Sequence, residues 1–184
     1  MDESFYDNGQ VEWHGNFNSL KTGILYADKL TTVSPNYRDE ILTEAYGEGL
    51  QHLLGERETD LQGILNGIDT DAYDPQGDEH IAQTFSAEDL QGKQANKRAI
   101  QKRCGLPEQP DVPLLTMISR LSGQKGIDVL EQTLLEFLEG DVQFVLLGSG
   151  EARFEEFFQR LEVDYAEKVS VHLGFDESFA HQLY

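Results

Sequence analysis

Positive charge is scarce in this 184-residue chain. Fourteen lysines and arginines stand against 34 aspartates and glutamates, for a net charge of -20. Nucleic-acid phosphates demand a basic footprint, so this balance excludes nucleic acid as a partner. An anionic membrane surface is disfavoured for the same reason. Cysteine is nearly missing: Cys104 stands alone, which excludes a disulfide framework and a cysteine-built metal site and points to a reducing compartment. The five histidines (His14, His52, His80, His172 and His181) show no HxxxH spacing. No Ser-His-Asp or catalytic-cysteine arrangement can be assembled from the sequence. No apolar run approaches the roughly 18 residues that a membrane span needs, and no charged-then-apolar leader opens the chain. The expectation is a soluble, cytoplasmic protein.

What is present is globular in character, with 39% hydrophobic and 26% charged residues. The length suits one domain or parts of two. The scarce cations are not spread evenly. Between Leu106 and Arg160 there are ten acids and four bases, and two of the four, Arg120 and Lys125, share one short stretch. That stretch, Leu114–Leu130, reads as a buried strand, a polar loop and the start of an amphipathic helix. In open α/β sheets ligands bind at the carboxyl ends of strands, and a helix N-terminus favours anions. Two cations at such a point suit a phosphate.

The chain in order supports an α/β reading. Phe17–Asp28 carries apolar residues at helical spacing, and Leu30–Val33 reads as a short strand. Ser34 and Pro35 make an N-cap followed by proline at the first helical position, predicting a helix to about Glu44. Tyr46–Leu61 reads as loop with some helix, and Gln62–Asn66 as a strand ending at Gly67. Residues 69–78, with Pro75, Gly77 and no period, form the best linker candidate. Leu90–Cys104 is a predicted helix with a basic face (Lys93, Lys97, Arg98, Lys102, Arg103), read as a solvated surface and stopped by Gly105 and Pro107. Strands follow at Leu114–Ile118, Val142–Leu147 and Lys168–Leu173. Helices follow at Ile127–Glu139, with Ile127, Leu130, Leu134, Phe137 and Leu138 on one face, and after Gly150, with Phe154, Phe157, Phe158 and Leu161. A last helix follows Gly174-Phe175. The pattern is βαβαβ, a parallel sheet with helical crossovers.

Six segments carry a resemblance: ADKLTTVSPNYRDEI (27–41), ILNGID (64–69), NKRAIQKRCGLP (96–107), PLLTMISRLSGQKGIDVL (113–130), FVLLGSGE (144–151) and VHLGFDESFAHQLY (171–184). Together they closely resemble the bacterial glycogen (starch) synthases of glycosyltransferase family 5. The resemblance implies retaining transfer of glucose from ADP-glucose to the non-reducing end of an α-1,4-glucan such as glycogen. It also implies an incomplete GT-B fold of two Rossmann-like lobes. Residues 1–68 would be the C-terminal part of the first lobe, 69–89 the inter-lobe linker, and 90–184 the first half, βαβαβ, of the second. The family's Lys-Thr-Gly-Gly loop and Glu-Pro-Cys-Gly-Leu motif have no counterpart in these residues. Lys21-Thr22-Gly23-Ile24 is a helix segment and not that loop.

The resemblance also implies roles. Arg120 and Lys125 match the catalytic cations that meet the departing diphosphate. Asn66, Gly123, Gly126, Gly148, Ser149, Gly150, Gly174 and Phe175 match donor-binding positions, with Gly174-Phe175 meeting the adenine. Phe175 stands where some relatives have tyrosine, but stacking needs only the ring. Gly148-Ser149-Gly150 is not a dinucleotide fingerprint, because the third glycine of GxGxxG falls on Arg153, and it is not a P-loop. A tight turn without a ligand is its other reading. For Arg120 and Lys125 that reading is an ion pair with acids such as Asp128. Asp69-Thr70-Asp71 has a DxD form, but the family shows no metal there, and neither metal nor cofactor is expected. Two alternatives stay open: a GT-B transferase using a UDP- or GDP-sugar, and a non-catalytic fragment or binding module.

Overall fold

The computed structural model describes residues 9–184, and these fall into two compact units that divide between Ile68 and Asp69. Residues 1–8 lie outside the described residues.

In the first unit, strands β1 (Glu12–Trp13) and β2 (Asn16–Phe17) pair antiparallel. Helix α1 (Ser19–Tyr26) follows, N-capped by Asn18, which accepts from the Lys21 N–H at 2.8 Å. Lys21 lies inside α1 and its Nζ donates to the carbonyls of Gly9 and Glu12. Strand β3 (Leu30–Thr32) leads to α2 (Pro35–Glu40), with Ser34 as N-cap and Pro35 at the first turn. Helix α2 stops at Glu40 rather than Glu44, because Thr43 and Gly47 N–H groups turn back on Glu40 and Thr43 carbonyls. Helix α3 (Gln51–Glu56) precedes β4 (Leu61–Gly63), which pairs parallel with β3. Thus β4 begins one residue earlier than the sequence suggests and ends at Gly63. A Cβ there would lie 2.2 Å from the Ser34 carbonyl oxygen, so glycine permits the strand to pass the start of α2. Ile24, Leu54 and Leu61 form this unit's small core.

The second unit begins with a segment of turns, 69–89, before α4 (Gln91–Arg103). That segment is tied down within the unit. Asp78 Oδ2 lies 2.7 Å from His181 Nδ1, both side chains nearly fully buried. Tyr73 stacks on His181 with ring centroids 4.3 Å apart. Asn96 of α4 pairs with the Gln83 backbone, accepting from its N–H at 2.7 Å and donating to its carbonyl at 2.8 Å. Burial raises the Asp78 pKa, but the bond to His181 and the His80 N–H outweigh it and leave the carboxyl below its ordinary range.

Strand β5 (Leu114–Ile118), helix α5 (Ile127–Glu139), strand β6 (Gln143–Gly148), helix α6 (Ala152–Asp164), strand β7 (Val169–Leu173) and helix α7 (Glu177–Leu183) complete it. The three strands form a parallel sheet in the order β5-β6-β7. Every residue of β6 is buried, as a central strand covered on both faces requires. β5 is an edge strand here, with Leu115 and Thr116 exposed, in contrast to the buried strand expected. Leu134, Leu138, Phe144, Phe154 and Phe158 make the larger core on one face, and Ile100, Val145, Leu147 and Phe179 pack on the other.

Two positions depart from the apolar pattern. Phe137 is 61% exposed, because it lies ten residues from Ile127 and has rotated off the buried stripe. Gln143 is fully buried within β6. Its Oε1 accepts from Gln101 Nε2 at 2.7 Å and its Nε2 donates to the Pro107 carbonyl at 2.9 Å, binding the loop after α4 to the sheet.

Candidate functional site

The carboxyl ends of β5, β6 and β7 lie side by side by virtue of the parallel register. The chain beyond β5 does not leave the sheet at once. Ser119 N–H donates to the Leu147 carbonyl (3.1 Å), Leu121 N–H to the Ser149 carbonyl (2.9 Å), and Glu151 N–H to the Leu121 carbonyl (2.8 Å). A Cβ on Gly148 would lie 1.9 Å from the Ser119 carbonyl oxygen, and one on Gly150 would lie 2.0 Å from that of Leu121. These two glycines are therefore required by the packing of one loop backbone on another. This explains the Gly-Ser-Gly turn without invoking a ligand.

The loop that this packing holds carries the cations. Residues 123–125 make one turn of 3-10 helix. Gly126 closes it at φ 71° and opens α5, a left-handed conformation that favours glycine. Gly123 has an open surround, with nothing nearer its virtual Cβ than Arg153 at 4.0 Å, and its N–H is held by Glu151 Oε1 at 3.1 Å. Arg120 and Lys125 are both exposed. Arg120 donates to Gln124 Oε1 at 3.3 Å. Among the described residues neither cation forms an ion pair, with Asp128 or any other acid.

This freedom is unusual in the chain. Ten of the fourteen bases reach a carboxylate or a backbone carbonyl: Lys21, Lys29, Arg38, Arg57, Lys93, Lys97, Arg103, Arg153, Arg160 and Lys168. The four that do not, among the described residues, are Arg98, Lys102, Arg120 and Lys125. Helix α4 is thus less of a solvated basic surface than its sequence suggests. Lys97 binds the Pro110 and Val112 carbonyls, Lys93 binds that of Tyr184, and Arg103 binds Asp176.

A cavity of about 470 Å³ opens between the strand ends, lined by Ser119, Arg120, the Gly148–Gly150 turn, Gly174 and Phe175 among others. Gly174 donates to the Gly148 carbonyl at 3.0 Å and sits at φ 126°, outside the range of ordinary L side chains. Beside it Phe175 presents its ring to solvent, 90% exposed. The structure thus gathers Arg120, Gly148, Ser149, Gly150, Gly174 and Phe175 around one space. Gly123, Lys125 and Gly126 belong to the adjoining loop and are not in the lining, and Asn66 belongs to the first unit.

The remaining candidates behave as structural groups. Asp69 Oδ1 accepts from the Asp71 and Ala72 N–H groups in an Asx turn. Among the described residues no three His, Cys, Asp or Glu side chains converge as a metal site. His172 is half-buried, with Cys104 Sγ 3.6 Å and Ser170 Oγ 3.2 Å from its Nε2. Burial, then the nearby Arg103 charge, pushes the imidazole pKa down, and burial pushes the Cys104 thiol up, so neither is primed as cation or nucleophile. No helix among the described residues is long and apolar enough to cross a membrane. Sequence reasoning missed the pairing of Arg103 with Asp176, the residue after Phe175, at 2.8 Å. An aspartate just ahead of the last helix was the available N-cap signal.

Comparison with known proteins adds a consistent set of relatives. Residues 1–56 match the family model described as the starch synthase catalytic domain. The chain is 44% identical over 184 residues to the glycogen synthase of Bacillus cereus strain B4264, covering 100% of this chain and 39% of the relative. It is 46% identical over 179 residues to that of Streptococcus equi subsp. equi strain 4047, covering 97% of this chain and 38% of the relative. It therefore spans about two fifths of the curated relatives it matches. Among solved structures it is similar to the catalytic domain of starch synthase IV from Arabidopsis thaliana bound to ADP and acarbose. The TM-score there is 0.84 at 37% identity, over 91% of this chain and 35% of the other. The Anabaena protein HepE in complex with UDP, at TM-score 0.50 and 14% identity over 95% of this chain and 42% of that one, shares the fold.

Proposed function

We propose that this chain, which belongs to the glycogen and starch synthase family, carries the donor-diphosphate grip of a retaining glucosyltransferase. The full-length protein would transfer glucose from ADP-glucose to the non-reducing end of an α-1,4-glucan. The observation that carries this reading is the pair Arg120 and Lys125. In a chain of net charge -20, these cations stand without an acidic partner among the described residues, at the carboxyl end of a parallel strand. ADP and acarbose, present in the Arabidopsis structure, are a nucleoside diphosphate and a saccharide, the two classes of molecule that this reaction brings together.

Breaking the bond from C1 to the diphosphate loads negative charge onto the departing oxygen. Fixed cations aimed at that oxygen lower the barrier without reorganising during the reaction. The Arg120 guanidinium offers a planar fork to two phosphate oxygens, and Lys125 offers a compact charge. One such contact at 4 Å and an effective dielectric near 20 is about 4 kcal/mol before desolvation. Only the part that grows toward the transition state speeds the reaction. Gly123 leaves room for a phosphate beside its backbone, and the Phe175 ring would stack on the adenine. Asn66 is a donor-binding position by the resemblance.

In the full-length protein, Arg120→Ala and Lys125→Ala should each lower kcat for glucosyl transfer by roughly 10²–10³, the scale of losing one transition-state donor. Near-normal turnover in both would overturn the assignment. The donor base is tested separately by thermal shift with ADP-, UDP- and GDP-glucose. ADP-glucose should stabilise most, and a larger shift with another donor would overturn that choice.

A further inference from the structure

Phe175 is held by almost nothing of its own. Its ring is 90% exposed, and the residue before it is a glycine at φ 126°. A ring on such a tether loses rotational freedom when a ligand stacks on it, so whatever fixes the tether sets part of the binding affinity. On one side the tether is pinned by the Gly174 N–H on the Gly148 carbonyl. On the other side stands Asp176. Its Oδ1 accepts from the Phe179 N–H at 2.8 Å, capping α7, and its Oδ2 accepts from Arg103 Nη2 at 2.8 Å.

Arg103 is itself fixed from three directions. Nη1 donates to Gln182 Oε1 at 3.0 Å, the guanidinium lies 4.1 Å from the centroid of the fully buried Phe179 ring, and Nη2 holds Asp176. Its position is favourable for a second reason. Arg103 ends α4 and Asp176 precedes α7, so a cation at a helix C-terminus meets an anion at a helix N-terminus. The Asp176 carboxyl is held below its ordinary pKa by the Phe179 N–H first and by Arg103 after it.

We infer that Arg103 is a positioning residue for the donor: through Asp176 it fixes the Gly174–Asp176 turn and so presents Phe175 to the nucleobase. The inference rests on the reading of Phe175 as the base contact. Arg103 is not among the residues that line the cavity. Its effect is therefore confined to ligands that carry a base, and it leaves the grip on phosphate alone unchanged.

The test uses the full-length enzyme and measures kcat, donor KM, and inhibition constants for ADP and for inorganic diphosphate. Phe175→Ala should weaken ADP about tenfold and leave diphosphate unchanged. Arg103→Ala should raise the donor KM and the ADP inhibition constant three- to tenfold, with kcat within twofold and diphosphate unchanged. The double variant should be no worse than Phe175→Ala alone. Asp176→Asn keeps an oxygen to cap α7 but drops the charge that Arg103 holds, and it should reproduce Arg103→Ala even where that variant folds poorly. Wild-type ADP inhibition in Arg103→Ala and Asp176→Asn, beside a weakened Phe175→Ala, overturns the role of Arg103 and leaves the base contact standing. Unchanged ADP inhibition in Phe175→Ala overturns the base contact, and the inference with it. Equal weakening of ADP and diphosphate in Arg103→Ala indicates general damage and also overturns it.

Discussion

Two stretches concentrate the positive charge of this acidic chain. Helix α4 carries Lys93, Lys97, Arg98, Lys102 and Arg103, and the loop after β5 carries Arg120 and Lys125. By number α4 is the more basic, yet three of its five cations are consumed by the fold. Lys93 and Lys97 bind backbone carbonyls, and Arg103 binds Asp176, Gln182 and the Phe179 ring. Among the described residues the loop cations bind nothing acidic, although ten acids lie within 106–160. The lesson is that a cation's function is read from what it is spared. Tying a lysine to carbonyls stabilises a loop, whereas an exposed arginine with no carboxylate partner among the described residues is the one proposed to meet an anion.

That contrast predicts a graded series of substitutions. The largest effect belongs to Arg120. Even Arg120→Lys, which keeps the charge but loses the fork, should lower kcat by roughly tenfold or more with Tm unchanged, because a bidentate phosphate contact is not replaced by a point charge. A Lys variant with full turnover would show that only charge matters there. Next is Lys97→Ala, which strands the Pro110 and Val112 carbonyls. It should cost about 1–3 kcal/mol in chemical denaturation while donor KM stays put. A change in KM without a loss of stability would erase the distinction between the two stretches.

Smaller still is a pH effect centred on His172, beside Arg103. Its folded pKa is lowered, by burial first, so below about 6.5 the unfolded chain takes up the proton before the folded one does. Stability contributed by the neutral imidazole is full above that pH and is lost as pH falls toward the folded value. Lowering the pH from 7.5 to 5.5 should reduce Tm, and His172→Gln should flatten that slope. An unchanged slope in the variant would assign the acid sensitivity elsewhere. The smallest effect is at Arg98 and Lys102, whose alanine variants should stay within about 0.5 kcal/mol of wild type by denaturation and keep full turnover.

The βαβαβ rhythm and the position of the Arg120–Lys125 loop at a strand end were legible because both rest on local signals. Helical and strand periods fix the elements, and glycines with cations at a strand end mark the loop. The fate of α4 was not legible, since Lys97 finds its carbonyls 13 and 15 residues on, and Arg103 finds Asp176 across 73 residues. Nor was the reason for Gly148 and Gly150. In sequence they suggest ligand contact, whereas the folded chain shows them admitting the Ser119 and Leu121 carbonyls. The Asp78–His181 pair joins a stretch that reads as linker to the last helix, 103 residues away, and no period announces it. Phe137 was misassigned because one apolar residue at the margin of a helical stripe falls either way on small rotations of the helix.

The measurement that bears most directly on the account compares two lysines of the same chain in the full-length enzyme. Both Lys125 and Lys102 are exposed and form no ion pair among the described residues, and they differ in where the fold puts them. With ADP-glucose and glycogen as substrates, Lys125→Ala should lose roughly 10²–10³ in kcat, and Lys102→Ala should lose nothing. Equal turnover in the two variants would contradict the claim that the loop after β5 is the donor-phosphate site.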